Sequence, residues 1–121
     1  MREMKEIVVK VDQVVYMPSL EAPEEKPHPF VYFITIENDS DETVQIEGRK
    51  WVVREGDECV VVEGEGVVGQ KPELLPGEQF SYNSYHVVAR DAQVEGAFFG
   101  RTHSGERFLT RIPAFRLSLP G

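Results

Sequence analysis

Cysteine is almost missing from this chain. Cys59 is the only one, so no disulfide can close within it and no cage of thiolates can hold zinc. A lone thiol fits a reducing compartment, and the cytoplasm is the expected location. Long apolar runs are also missing. No stretch approaches the roughly 20 apolar residues that cross a bilayer. Near the start, Arg2, Glu3, Lys5 and Glu6 stand where a secretory leader would have its apolar core. Basic charge is scarce as well, with 13 Lys and Arg against 21 Asp and Glu and a formal net charge of −8. Such a surface repels phosphates and anionic lipid, so neither nucleic acid nor membrane is expected as a partner. Helical periodicity, internal repeats and low-complexity tracts are absent too.

What is present is apolar alternation with period two. At 121 residues, 40% hydrophobic and 28% charged, the chain suits one globular domain over residues 1–121. Ile7 to Tyr16 is rich in β-branched residues and reads as a first strand. Pro18, Pro23, Pro27 and Pro29 then mark a stiff, solvated loop. In Phe30 to Asn38 the even positions are Phe, Tyr, Ile and Ile, and that side should face the core. Asn38-Asp39-Ser40-Asp41 supplies turn chemistry, and Thr43 to Val53 resumes as a strand, which predicts a hairpin. There the parity changes. Val44 and Ile46 are even, whereas Trp51 and Val53 are odd, so keeping all four inward requires one extra residue, a β-bulge near Gly48.

Arg54-Glu55-Gly56-Asp57 reads as the next turn and Glu58 to Val62 as a short strand. Residues 64–77 read as loop, ending in Leu75-Pro76-Gly77-Glu78, a type II turn signature. Gln79–Val88, Gln93–Arg101, Arg107–Ile112 and Ala114–Leu119 complete about eight strands. The expected fold is an all-β antiparallel sandwich.

Gly64-Glu65-Gly66-Val67-Val68-Gly69 matches the G-x-G-x-x-G pattern with which dinucleotide-binding folds cradle a pyrophosphate at a helix N-terminus. The mechanism needs a helix directly afterwards, but Pro72 and Pro76-Gly77 leave no room for one. A milder alternative keeps Gly64, Gly66, Gly69 and Lys71, or Arg49, as an oxyanion loop built on backbone donors. The simpler reading is that these glycines permit a bulged crossing between sheets. Trp51 reads as the plug between the sheets, with Arg49 free either to cover it or to join Lys50 on an interaction surface. Cys59, inside an apolar run, reads as a buried inert thiol. His28, His86 and His103 are too scattered for a transition-metal site. Asp39, Asp41 and Glu42 either solvate a turn or hold a hard cation weakly. Ser81, Ser84 and Ser104 lie in no nucleophile motif.

Several segments together carry a pattern. Phe30 to Asn38, Arg49-Lys50-Trp51, Gly64 to Pro72, Pro76-Gly77-Glu78-Gln79-Phe80-Ser81-Tyr82 and Ile112-Pro113-Ala114-Phe115-Arg116-Leu117 resemble, in order and spacing, the ApaG family. The sequence departs from that pattern at Lys50, at Tyr82-Asn83-Ser84-Tyr85 and at Ala92 to Phe98. The resemblance implies an immunoglobulin-like sandwich of the fibronectin type III kind. It also implies a link of bacterial members with cobalt resistance and magnesium efflux. Related eukaryotic domains, appended to F-box and polymerase-delta-interacting proteins, serve as interaction modules. The expectation is therefore a non-catalytic binding module with a protein partner, no cofactor, no resident metal and no catalytic residues. Small-anion or nucleotide binding at residues 64–72 and direct divalent-cation binding stand as alternatives.

Overall fold

Alternating β-branched and aromatic residues build nine strands in the computed structural model, which describes every residue from Met1 to Gly121. They are β1 (Arg2–Glu3), β2 (Ile7–Tyr16), β3 (His28–Asn38), β4 (Val44–Glu55), β5 (Glu58–Glu65), β6 (Glu73–Leu74), β7 (Gln79–Val88), β8 (Ala92–Thr102) and β9 (Arg107–Leu117). The larger sheet runs β1-β9-β8-β4-β5, with β6 also on β4, and the smaller runs β2-β3-β7. Only the short β1–β9 pairing is parallel. The all-β two-sheet sandwich expected from the alternation is the observed architecture.

Parity places the core. Phe30, Tyr32, Ile34 and Ile36 of β3 are buried, and so are Val44, Ile46, Trp51 and Val53 of β4. The parity change in β4 occurs as expected: Ile46 pairs with Gly100 and Gly48 with Phe99, leaving Glu47 as the extra residue of a bulge. Trp51 is 1% exposed and lies between the sheets, its ring 4.9 Å from Tyr32, 5.1 Å from His86 and 6.5 Å from Phe98. The Gly56-Asp57 turn joins β4 to β5 as a hairpin. Gly77, at φ 86°, closes the type II turn, in which the Glu78 amide donates to the Leu75 carbonyl at 2.9 Å.

Three expectations are corrected. The Asn38–Asp41 turn does not make a hairpin; it carries the chain from the small sheet to the large one. Both edges of β3 are already taken by β2 and β7, so β4 has nowhere to pair on it. The Asn38 side chain instead donates to the Glu42 and Leu74 carbonyls and accepts from Ser40, a local turn that steers the chain across. The segments 107–112 and 114–119 are one strand, β9. Pro113 and Ala114 face only Glu95 across a bulge, where a residue without an N–H breaks no ladder bond. Finally, β5 and β6 reach into residues 64–77, which the glycines and prolines marked as loop.

The sandwich is closed on one side and open on the other. On the closed side β2 packs against β9, the Thr110 hydroxyl donates to the Ile7 carbonyl, and the Met4 amide donates to Leu109 at 2.9 Å. On the other side β7 lies over β8 and β4, with Tyr82 6.3 Å from Phe98 and His86 5.1 Å from Trp51. The next strand of the large sheet, β5, therefore extends past the small sheet with no strand opposite it.

Candidate functional site

The glycine-rich segment forms a closed turn. Gly64 pairs with Arg49, and a Cβ there would come 2.8 Å from the Arg49 Nη1. The bare backbone lets the guanidinium lie across it and donate to the carbonyls of Glu65 (2.8 Å) and Gly66 (3.1 Å). The Gly66 amide donates to Glu47, while Val67 and Gln70 exchange backbone bonds. Three amides that an oxyanion would need are thus engaged inside the turn, and two of its carbonyls face a cation. Gly69, at φ 79°, sits at the tip with open space around it. The Lys71 Nζ is 3.8 Å from the Glu65 carboxylate and the Lys50 Nζ 3.7 Å from that of Glu63. Arg49, Gly64 and Gly66 are brought together; Lys50 extends from the opposite face of β4, out of register with Arg49.

A different feature, not singled out in the sequence, occupies the open side. A groove of about 510 Å³ runs beside the β7 edge, lined by Val53, Val60 and Val62 of the large sheet, Tyr85, His86 and Val87 of β7, and Glu21, Pro23, Lys26 and Glu55 at one end. Val60 and Val62 pair with Val53 and Trp51, so they share the inward face, yet Val62 remains 39% exposed because no strand of the small sheet lies opposite. One end of the groove is clamped. Glu55, 2% exposed, accepts the amides of Ala89 (2.7 Å) and Arg90 (3.2 Å) and binds the Lys26 ammonium at 2.9 Å. Lys26 also reaches Glu58 at 2.7 Å, and the Tyr85 hydroxyl donates to the Glu21 carbonyl at 3.3 Å. Burial pushes the Glu55 carboxyl up, but Lys26 and the two amides outweigh it and hold the group below the ordinary range. Glu58 and Glu55 in turn raise Lys26.

The inner wall holds an unpartnered polar atom. The His86 Nε2 in this wall is buried without a hydrogen bond, and so is the Tyr82 hydroxyl further along β7, between the sheets. Burial lowers His86 to about 4 and raises Tyr82, so both rings are neutral at pH 7. His86 stacks on Tyr32 at 4.8 Å. The sequence signal that marks this wall is the run Phe80 to Val88, which has no charged residue and no proline.

A family model described as ApaG domain matches residues 18–101. The chain belongs to the ApaG family. It is 39% identical over 121 residues to Protein ApaG of Deinococcus radiodurans, covering 98% of this chain and 92% of that one. With Protein ApaG of Yersinia pseudotuberculosis it shares 37% over 122 residues, covering 99% and 97%. The crystal structure of a Bordetella pertussis protein described as ApaA superposes with a TM-score of 0.84 at 30% identity, covering 94% of each chain. A late embryogenesis abundant protein, 11% identical with a TM-score of 0.62 over 93% of this chain and 71% of that one, shares the fold alone.

Within this ApaG chain the other candidate groups lie apart. The His28 Nδ1 is 2.9 Å from the Tyr16 hydroxyl, His103 lies in the β8–β9 turn, and no three His, Cys, Asp or Glu side chains gather as metal ligands. The Ser104 side chain and then its backbone amide, which donates to the Glu42 carboxylate at 3.0 Å, hold the Glu42 pKa low. Cys59 is exposed, contrary to the buried thiol expected from its apolar neighbours. It pairs with Arg54 on the outer face of an edge strand, where nothing packs over it.

Proposed function

We propose that this ApaG-family chain is a non-catalytic protein-interaction module that receives its partner on the open side of the sandwich. The observation that carries this reading is the overhang of β5, which leaves Val60 and Val62 facing inward over a groove with no strand opposite. Unfilled apolar surface of this kind is where partners gain affinity. The fibronectin type III likeness implied by the family resemblance suits such a role. An acidic surface of net charge −8 argues for a protein rather than nucleic acid or membrane. The exposed lone thiol of Cys59 suits a reducing cytoplasm. The family's link to cobalt and magnesium would then act through the partner. An anion reading of residues 64–72 retains Lys71 and Lys50 but lacks the amides of Gly66, Val67 and Gln70.

The test compares captured partners. Val62→Glu puts a charge in the groove, whereas Val68→Glu alters another exposed valine, 48% exposed at the glycine turn. Wild type and V68E should recover the same protein from a native lysate and V62E should lose it. Equal recovery by all three removes the open side from the function.

A further inference from the structure

Among the long edge strands of the sandwich, β7 is the one without protection. The β2 edge carries Lys10 and Asp12 and shifts register between Val11 and Gln13. The β5 edge carries Glu58, Glu63 and Glu65. By contrast β7, Gln79 to Val88, holds no lysine, arginine, aspartate, glutamate or proline and pairs with β3 in unbroken register over its length. No strand bonds its far side. Charge, proline and bulges are the usual devices that keep an edge from pairing with another chain. An edge lacking all three, ten residues long, is a template for a further strand.

The space for that strand already exists. The groove lies beside Tyr85–Val87, and the Val60 and Val62 side chains of β5 cover the place a fourth strand of the small sheet would take. We infer that β7 is a strand-acceptor edge: an extended segment of a partner protein, with aliphatic residues at alternate positions and basic residues flanking them, adds to the small sheet beneath β5. This rests on the interaction-module reading above and names its partner class and mode. Backbone bonds to β7 would supply affinity, and alternate side chains packing on Val60 and Val62 would supply selectivity.

Two arguments select this occupant. The first is charge: Glu21 and Glu55 line the groove with Lys26 as the one Lys or Arg of the lining, and Glu58 holds Lys26 from outside it, on a chain of net charge −8, so basic flanks are complementary. The second excludes a copy of this chain. Antiparallel pairing of two β7 strands sets its two-fold axis normal to the sheet, which puts both large sheets on the same side. The two overhanging β5 strands would then compete for one volume. A single extended segment brings no second sheet and meets no such conflict.

The experiment titrates the isotope-labelled full chain with the peptide Lys-Thr-Val-Thr-Val-Thr-Lys, its Glu-flanked counterpart, and a version N-methylated at alternate residues. The expected result is slowed hydrogen exchange at β7 amides around Ser84–Val88, about tenfold weaker binding of the Glu-flanked peptide at low salt, and loss of binding on N-methylation. No β7 protection at millimolar peptide, protection confined to the β5 edge, or equal affinity for both flanks overturns the inference. If β7 fails while partner capture still depends on Val62, strand addition falls and the interaction module stands. If capture ignores Val62 while β7 is still protected, the module reading falls and the acceptor edge stands.

Discussion

At the scale of single residues, two titratable groups in the groove wall act on stability in known directions. His86 gives up its proton near pH 4 in the folded chain because burial disfavours the cation, against about 6.5 when unfolded. Between those values the unfolded chain holds the extra proton. Stability should therefore be complete above about pH 6.5 and fall as the pH drops towards 4. His86→Phe keeps a ring against Tyr32 and removes the titration. In urea unfolding from about pH 7 to 4 it should lack a loss on the order of 3 kcal/mol that the wild type shows; parallel curves would refute the assignment. Glu55 has the depressed pKa of a bonded carboxylate, so its contribution is present above the ordinary carboxylate range and is lost as the pH falls through the folded-state value. Glu55→Gln weakens the bonds to Lys26, Ala89 and Arg90. It should cost about 2 kcal/mol at neutral pH in urea unfolding, and the difference should shrink as the pH falls through the folded-state value and the wild-type carboxylate takes up its proton.

At the scale of elements, close approach between strands matters as much as side-chain packing. A Cβ on Gly96 would strike the Lys50 carbonyl and come 3.2 Å from both Ile112 and Trp51. Gly96→Ala should cost about 1–3 kcal/mol in denaturant unfolding through displacement of β4 from β8; a neutral result would mean the strands can move apart freely. This contact also shows where sequence reading stops. Strand existence was legible from period-two alternation, and the β4 bulge from a parity change, because both are local properties of spacing. Which strand pairs with which is not local. The turn residues at Asn38–Asp41 are the same whether the chain folds back on β3 or crosses to the other sheet, and only the occupation of both β3 edges decides. Cys59 is exposed for a reason of the same kind: an apolar run on an edge strand has one face without a neighbour.

At the scale of the whole molecule, the groove arises from a mismatch in sheet width. Neither width can be read from a segment, so the candidate site was the least legible part. Its one trace was the charge-free run of β7, which reads equally well as an ordinary buried strand. The same scale governs the bulge at Glu47, which behaves like a frameshift in the pleat. Every inward residue downstream on β4, Trp51 and Val53 included, keeps its face because the bulge absorbs that single added position. Deleting Glu47 would set Ile46 and Trp51 an even number of positions apart, so a regular strand without a bulge keeps both faces of β4 and cooperative unfolding should survive, whereas deleting Val52, which makes Trp51 and Val53 neighbours on opposite faces, should abolish it. A sigmoidal urea transition in the chain lacking Glu47, and its loss in the chain lacking Val52, is the expected outcome; loss of the transition on deleting Glu47 alone would refute the assignment. On this strand, then, length changes are tolerated by parity rather than by number, and one residue more or less is harmless only where a bulge takes it up or gives it back.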